Sequence, residues 1–130
     1  MALRISSCVI ALIHHAAADA APLEACGLLF GDGAVERASV IANVSDDPAR
    51  RFEIDPAALI AALQAERAGG DRVIGYWHSH PSGDATPSST DAAMAAADGK
   101  LWLIVAGETV TAWRAGPTGL HGRFERVEVA

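Results

Sequence analysis

The stretch Gly75–Asp91, "GYWHSHPSGDATPSSTD", constrains this chain more than any other. A run of β-forming residues, "RVIGYWHSH", ends in two histidines one residue apart and is stopped by Pro81. On a strand, residues i and i+2 share a face, so His78 and His80 project together while Trp77 and Ser79 point the other way. Their imidazoles can then converge on one metal ion. A His-x-His pair alone is weak, because two surface histidines fall at this spacing by chance.

The far end of the following loop strengthens the reading. Ser88 and Asp91 are three residues apart and share a face once helical. They also spell a capping box before the apolar run "AAMAAA". Thr86 followed by Pro87 is the better helix start, with Thr86 as N-cap and Pro87 at the first helical position. That start frees Ser88 and Asp91 from capping and turns them toward the strand end. Asp91 then completes a His-His-Asp set with a fourth position left for water, the open arrangement of a catalytic zinc. Such a site needs a carboxylate to accept a proton and pass it on. Glu24, an isolated acid at the head of the apolar "EACGLLFG", meets that need.

The rest of the chain reads as one domain spanning residues 1–130. At 51% hydrophobic and 20% charged it has the composition of a folded globular protein. A net charge of -6 with scattered Lys and Arg excludes a nucleic-acid backbone as partner. No apolar run nears the roughly 20 residues that span a bilayer, so no membrane is expected. Cys8 and Cys26 fit no Cys-x-x-Cys spacing and read as two reduced, buried thiols of a cytoplasmic protein. The opening "MALRISSCVIALIHHAAADAAP" partly resembles a secretory leader, but Val9, Leu12, Ile13, Ala16 and Ala20 fall at helical spacing. An amphipathic helix is the expectation there.

The expected order is β-α-β-β-β-α-β-α-β-β-β, an α/β chain with a mixed sheet flanked by helices. "LRIS", "VERASVIANV" and "RRFEI" are read as strands beside "EACGLLFG" and "RVIGYWHSH". Asp55-Pro56 starts a helix that stops at Gly69-Gly70, and "SSTDAAMAAAD" forms another closed by Gly99. "LWLIVAG", "TVTAWRA" and "GRFERVEVA" are the closing strands.

These residues together carry a resemblance. Pro22-x-Glu24-x-Cys26-Gly27-Leu28, then His78-Ser79-His80-Pro81, then Pro87-Ser88-x-x-Asp91 resembles the JAMM (MPN-plus, JAB/Mov34-type) metalloprotease family, in its compact prokaryotic form. That family's motif is a Glu, then His-x-His, seven residues, Ser, two residues and Asp; here residues 81–87 fill the gap. The resemblance runs from the first helix to "LWLIVAG". It implies a fold akin to cytidine deaminases and one zinc ion per chain, bound by His78, His80 and Asp91. It also implies that Glu24 is the general base and that Ser88 steadies the oxyanion. The activity implied is that of a zinc-dependent peptidase or isopeptidase. Some compact members cut after the C-terminal Gly-Gly of ubiquitin-like sulfur-carrier proteins, so such a tail is the expected partner. The chain has no room for the inserted loops by which eukaryotic members grip ubiquitin.

Two other activities remain: a small-peptide hydrolase and a non-catalytic scaffold on the same fold. A base deaminase is excluded, because it would need His-x-Glu and Pro-Cys-x-x-Cys. Among residues outside the motif, Cys26 could compete for metal as a thiolate but reads as buried packing. Asp84 could replace Asp91 only in a cramped geometry. His14, His15 and His121 read as solvent-exposed, and Trp77, Trp102 and Trp113 as core. Oligomeric state stays open, a homodimer included.

Overall fold

A computed structural model describes residues 2–130. Its strands are β1 (Cys26–Phe30), β2 (Arg37–Ala38), β3 (Val73–Ser79), β4 (Leu101–Ala106), β5 (Thr109–Leu120) and β6 (Phe124–Val127). They form one six-stranded sheet in the order β2-β1-β3-β4-β5-β6. Only β3 and β4 run parallel; every other neighbouring pair is antiparallel. A parallel pair needs a crossover, and the loop after β3 with its short helix supplies it. Helices α1 (Ser7–Ala20), α2 (Pro56–Arg67) and α3 (Ser89–Met94) complete the mixed architecture that the sequence implies.

Local chemistry starts each long helix where expected. Ser6 caps α1 by accepting from the Cys8 amide, and Asp55 caps α2 with Pro56 just inside. Val9 and Ile13 of α1 are buried against Leu29, Trp77, Leu103 and Val105 on one sheet face. On the other face, Leu59, Ala62 and Leu63 of α2 pack on Leu28, Phe30 and Val73. That second face continues through Phe52, Ala95, Trp102, Ile104, Trp113 and Phe124. Leu28 and Leu29 thus serve opposite layers, as the period of two requires. Among the described residues no helix is long and apolar enough to cross a membrane.

Three expected strands shrink, each for a visible reason. "LRIS" divides its pairing between two partners: Leu3 bridges Val129 beyond β6, and Ile5 bridges Val35 before β2. It therefore ties together the two edges of the sheet instead of lengthening one of them. "VERASVIANV" keeps only β2 as regular strand, with isolated bridges at Ile41 and Asn43, and "RRFEI" keeps a bridge at Ile54. The Asn43 side chain takes over the backbone groups that a ladder would have used. Its amide nitrogen donates to the carbonyls of Glu24 and Arg51, and its oxygen accepts from the amides of Ser45 and Glu53.

The Ala-rich helix also ends early, at Met94 rather than near Asp98. Ala95 adopts an extended backbone and is buried beside Trp102 and Phe124. Six residues of helix have little stability of their own, so packing decides where the helix stops. Of the two thiols, Cys26 is buried but Cys8 is exposed on α1, which corrects the expectation of two buried cysteines.

Gly27 lets the layers close. A Cβ there would run into the Ser39 carbonyl and the Trp77 indole, whose nitrogen donates to that carbonyl at 2.7 Å. Gly27→Ala is therefore expected to destabilise the protein by about 1–3 kcal/mol, the usual cost of overpacking. Urea denaturation of the two proteins checks this.

Candidate metal centre

The sheet register brings the site together. Cys26 pairs with His78 and Gly27 with Trp77 across β1 and β3. Continued past Cys26, the same register sets Glu24 opposite His80. The Ser79 amide donates to the Ala25 carbonyl, and the Ala25 amide donates to the Ser79 hydroxyl at 2.8 Å. Glu24 is held by its own main chain as well, its N–H by the Pro48 carbonyl and its C=O by Asn43. The Glu24, His78 and His80 side chains are all buried, with candidate ligand atoms within 4.8 Å of one another.

Asp91 arrives from α3. Its Oδ2 lies 3.2 Å from His78 Nε2 and 3.1 Å from His80 Nε2, and those two nitrogens are 2.9 Å apart. Tetrahedral zinc, with N and O ligands at about 2.0–2.1 Å, spaces its ligands about 3.3 Å apart, so this triangle has nearly the edge length a metal would set. The donor chemistry fits as well. His80 Nδ1 lies 2.7 Å from the Asp84 carbonyl and must carry its proton to donate there, so in the neutral ring Nε2 is the nitrogen left with a lone pair. Stacked on Phe52 at 4.3 Å, the His78 ring cannot turn away, and its Nδ1 is buried without a partner. Glu24 Oε1 is a second buried atom with no hydrogen bond.

The structure corrects one step in the sequence reading. Ser88, not Thr86, is the N-cap of α3, and it forms a full capping box with Asp91. Ser88 Oγ accepts from the Asp91 amide at 3.0 Å, and Asp91 Oδ2 accepts from the Ser88 amide at 2.9 Å. Capping and facing the histidines are thus compatible. The carboxylate oxygen that closes the box is the same one that meets both imidazoles.

Burial sets the electrostatics. Glu24 is pushed up to about 7 by burial; His80 works against this and Asp91 adds to it. Burial would raise Asp91 too, but hydrogen bonds from both histidines and the Ser88 amide hold it well below the usual carboxylate range. His78 is lowered by complete burial despite Asp91. His80 is buried as well, yet its bonds to Asp91 and the Asp84 carbonyl leave it raised. Burial, with Glu24 adding to it, drives the Cys26 thiol up to about 12. Cys26 is therefore no thiolate, and its Sγ leans on the Ile41 carbonyl at 3.5 Å.

Other expectations divide. Asp84 serves through its backbone carbonyl, not as a spare ligand. His15 is exposed and paired with Asp19. His121 is exposed, yet it borders the cleft and its Nε2 reaches the Pro87 carbonyl at 3.1 Å. Trp77, Trp102 and Trp113 are core. Sequence reasoning missed Phe52 and Asn43. The one signal for each was an out-of-place residue: an aromatic in the polar "ARRFEID", and an amide in the apolar "VIANV".

Known proteins resemble this chain in sequence and in fold. Residues 6–116 match the family of prokaryotic homologues of the JAB domain. A desampylase from Haloferax volcanii is 37% identical over 99 residues, covering 72% of this chain and 71% of that protein. A probable TtuB-protein conjugate cleaving protease from Thermus thermophilus is 41% identical over 71 residues, 55% of this chain and 48% of that one. Among solved structures, a protein from Desulfitobacterium hafniense superposes with a TM-score of 0.81 at 26% identity, covering 98% of this chain and 91% of its own. A JAB1/MPN domain protein from Archaeoglobus fulgidus shares the fold, with a TM-score of 0.62 at 23% identity over 99% of this chain and 98% of its own.

The raised Glu24 makes a testable demand on the metal-free chain. With a carboxyl at about 7 in the folded state and about 4.5 unfolded, the folded protein holds a proton that the unfolded chain has released. Stability from this group is therefore lost as pH rises from about 4.5 to 7 and stays lost above. Glu24→Gln lacks this penalty. In chelator, its melting temperature is expected to gain on wild type across that window and then hold a constant margin. Thermal melts of both proteins from pH 4.5 to 8 measure the difference.

Proposed function

This chain belongs to the prokaryotic homologues of the JAB domain, and on that premise we propose that it is a zinc-dependent isopeptidase. Its substrates are conjugates of a ubiquitin-like or sulfur-carrier protein, cut just after the carrier's C-terminal Gly-Gly. The observation that carries this is the triangle of His78 Nε2, His80 Nε2 and Asp91 Oδ2 beside a buried, unpartnered Glu24 carboxylate. The names of the two relatives, a desampylase and a protease for TtuB conjugates, support the substrate class. Both cysteines are free thiols, which suits a reducing cytoplasm.

His78, His80 and Asp91 would hold one zinc ion. Bound there, it supplies Lewis-acid polarisation of the scissile carbonyl and lowers the pKa of a water to about 7. The chain does the rest. Glu24, poised near 7, accepts the proton from the attacking water and returns it to the leaving amine. Burial and the fixed backbone of Glu24 keep its carboxylate on the histidine side of β1. The Ser88 hydroxyl uses a lone pair on the Asp91 amide and keeps its own proton free for an oxygen that gains charge.

Two features support a thin, extended substrate. An apolar groove of about 950 Å³, bordered by Leu12, Ala16, Leu23, Val40 and Ile41, reaches Glu24. Segment 39–41 bonds to β1 through Ser39 and Ile41, so Val40, which lies between them, turns its main-chain groups away from β1 toward a passing strand. Beyond Glu24 a second cleft of about 550 Å³ lies between His80, Pro81, Thr86, Ser88 and Leu120. The tail would lie along the groove, with the leaving lysine in the cleft. Gly-Gly at the bond leaves the carbonyl unobstructed.

The direct test incubates zinc-loaded protein with carriers joined through Gly-Gly to a lysine, read by mass spectrometry. Cleavage after the second Gly is expected. That cleavage should fall steeply when the second Gly is changed to Val, and by roughly 100 to 10,000-fold in Glu24→Gln with zinc content unchanged. Short unrelated peptides cleaved well while folded carriers are ignored would replace this reading with a small-peptide hydrolase.

Ser88→Ala separates the two duties of that residue. It should retain zinc, lose about 1 kcal/mol of stability with its cap, and turn over roughly 100 to 1,000-fold more slowly. A stability loss with normal turnover would reduce Ser88 to a cap.

A further inference from the structure

The loop between His80 and Ser88 is fastened by its carbonyls. His80 Nδ1 holds the Asp84 carbonyl at 2.7 Å, Thr111 Oγ1 donates to that of Ala85 at 2.6 Å, and His121 Nε2 meets that of Pro87 at 3.1 Å. The first contact belongs to the site itself. Thr111 is a buried β5 side chain, itself receiving the Trp113 indole N–H at 2.9 Å. His121 is different. It stands exposed at the turn between β5 and β6, and it is the one non-glycine residue with positive φ among the described residues, at 54°.

A residue with a Cβ pays for that conformation, and the same turn already uses Gly119 and Gly122 at positive φ. A glycine at 121 would suit the backbone better. What the imidazole adds is its bond to Pro87. The Pro87 oxygen can only accept, so His121 Nε2 carries the proton.

That bond grips a particular peptide unit. The Pro87 carbonyl and the Ser88 N–H belong to one amide, and the Ser88 N–H donates to Asp91 Oδ2 at 2.9 Å. A donor on the carbonyl polarises the amide and strengthens its N–H as a donor in turn. It also fixes the amide plane, and with it the direction from which Ser88 approaches Asp91. Four groups therefore stand in series: imidazole, peptide, carboxylate oxygen and the facing nitrogens of His78 and His80.

We propose that His121 is a positioning residue for the metal centre, holding the Pro87–Ser88 peptide so that Asp91 Oδ2 keeps its place against both histidines. The assignment rests on reading that cluster as a metal site. It makes the β5–β6 turn, remote in sequence, part of the site's support.

The test measures zinc affinity of the full chain by competition with a chromophoric chelator, alongside melting temperatures without metal. His121→Ala is expected to weaken zinc binding about ten-fold, the lower end of what outer partners of a metal site contribute. His121→Gly, which suits the backbone angle but has no donor, should weaken it equally. His121→Gln, with an amide N–H to offer the same carbonyl, should recover most of the loss. The proposal is overturned if Ala and Gly bind zinc as wild type does, or if Gln is no better than Ala. It is also overturned if affinity falls only in step with the metal-free melting temperature, since general loosening would then explain it. A wild-type chain that took up no zinc would overturn the metal centre itself, and this assignment with it; a zinc-binding wild type with unaltered variants would overturn this assignment alone.

Discussion

Asp91 Oδ2 joins chain segments that would otherwise be held apart. It accepts the Ser88 amide, which starts α3, and faces the nitrogens of His78 in β3 and His80 just past its end. A buried carboxylate is costly unless hydrogen bonds surround it, and here the surrounding donors are the residues that form the site. The crossover from β3 to β4 is therefore drawn tight at its start. Removing that oxygen would leave a short helix without its box and two buried imidazoles without a counterpart.

The same burial gives the two acids different characters. Asp91, ringed by donors, is held strongly ionised, whereas Glu24, buried without a partner on Oε1, is raised to about 7. Two carboxyls in one pocket driven in opposite directions by environment are what the proposed roles of ligand and proton carrier require. Cys26, which opens β1 two residues after Glu24, is kept a neutral thiol by that environment and so takes no part as a donor of charge.

Irregular backbone is held by side chains here more than by ladders. Asn43 uses both of its donors and accepts two amides, linking Glu24 to the segment 45–53. Thr111 and His121 do similar work for the loop before Ser88. Loops that carry functional groups need such anchoring, since nothing periodic fixes them. The N-terminal segment works at larger scale, bridging beyond β6 at Leu3 and before β2 at Ile5, so that the sheet's edges are tied.

Much of this was legible in the sequence, because local chemistry writes it there. The caps at Ser6 and Asp55-Pro56, the period of two through "RVIGYWHSH", and the spacing of His78, His80, Ser88 and Asp91 all act within a few residues of themselves. The early end of α3 and the loss of strand in 33–54 were not legible, since each depends on a distant partner: Trp102 and Phe124 for Ala95, and four backbone groups for Asn43. Ser88 shows the limit most clearly. The sequence offered capping or the site as alternatives, and only the folded chain could make one carboxylate oxygen serve both. Residue types and their spacing thus determined which side chains could meet. The antiparallel register of β1 on β3 decided that Glu24 meets the two histidines, because that distance is set by pairing between segments far apart in sequence.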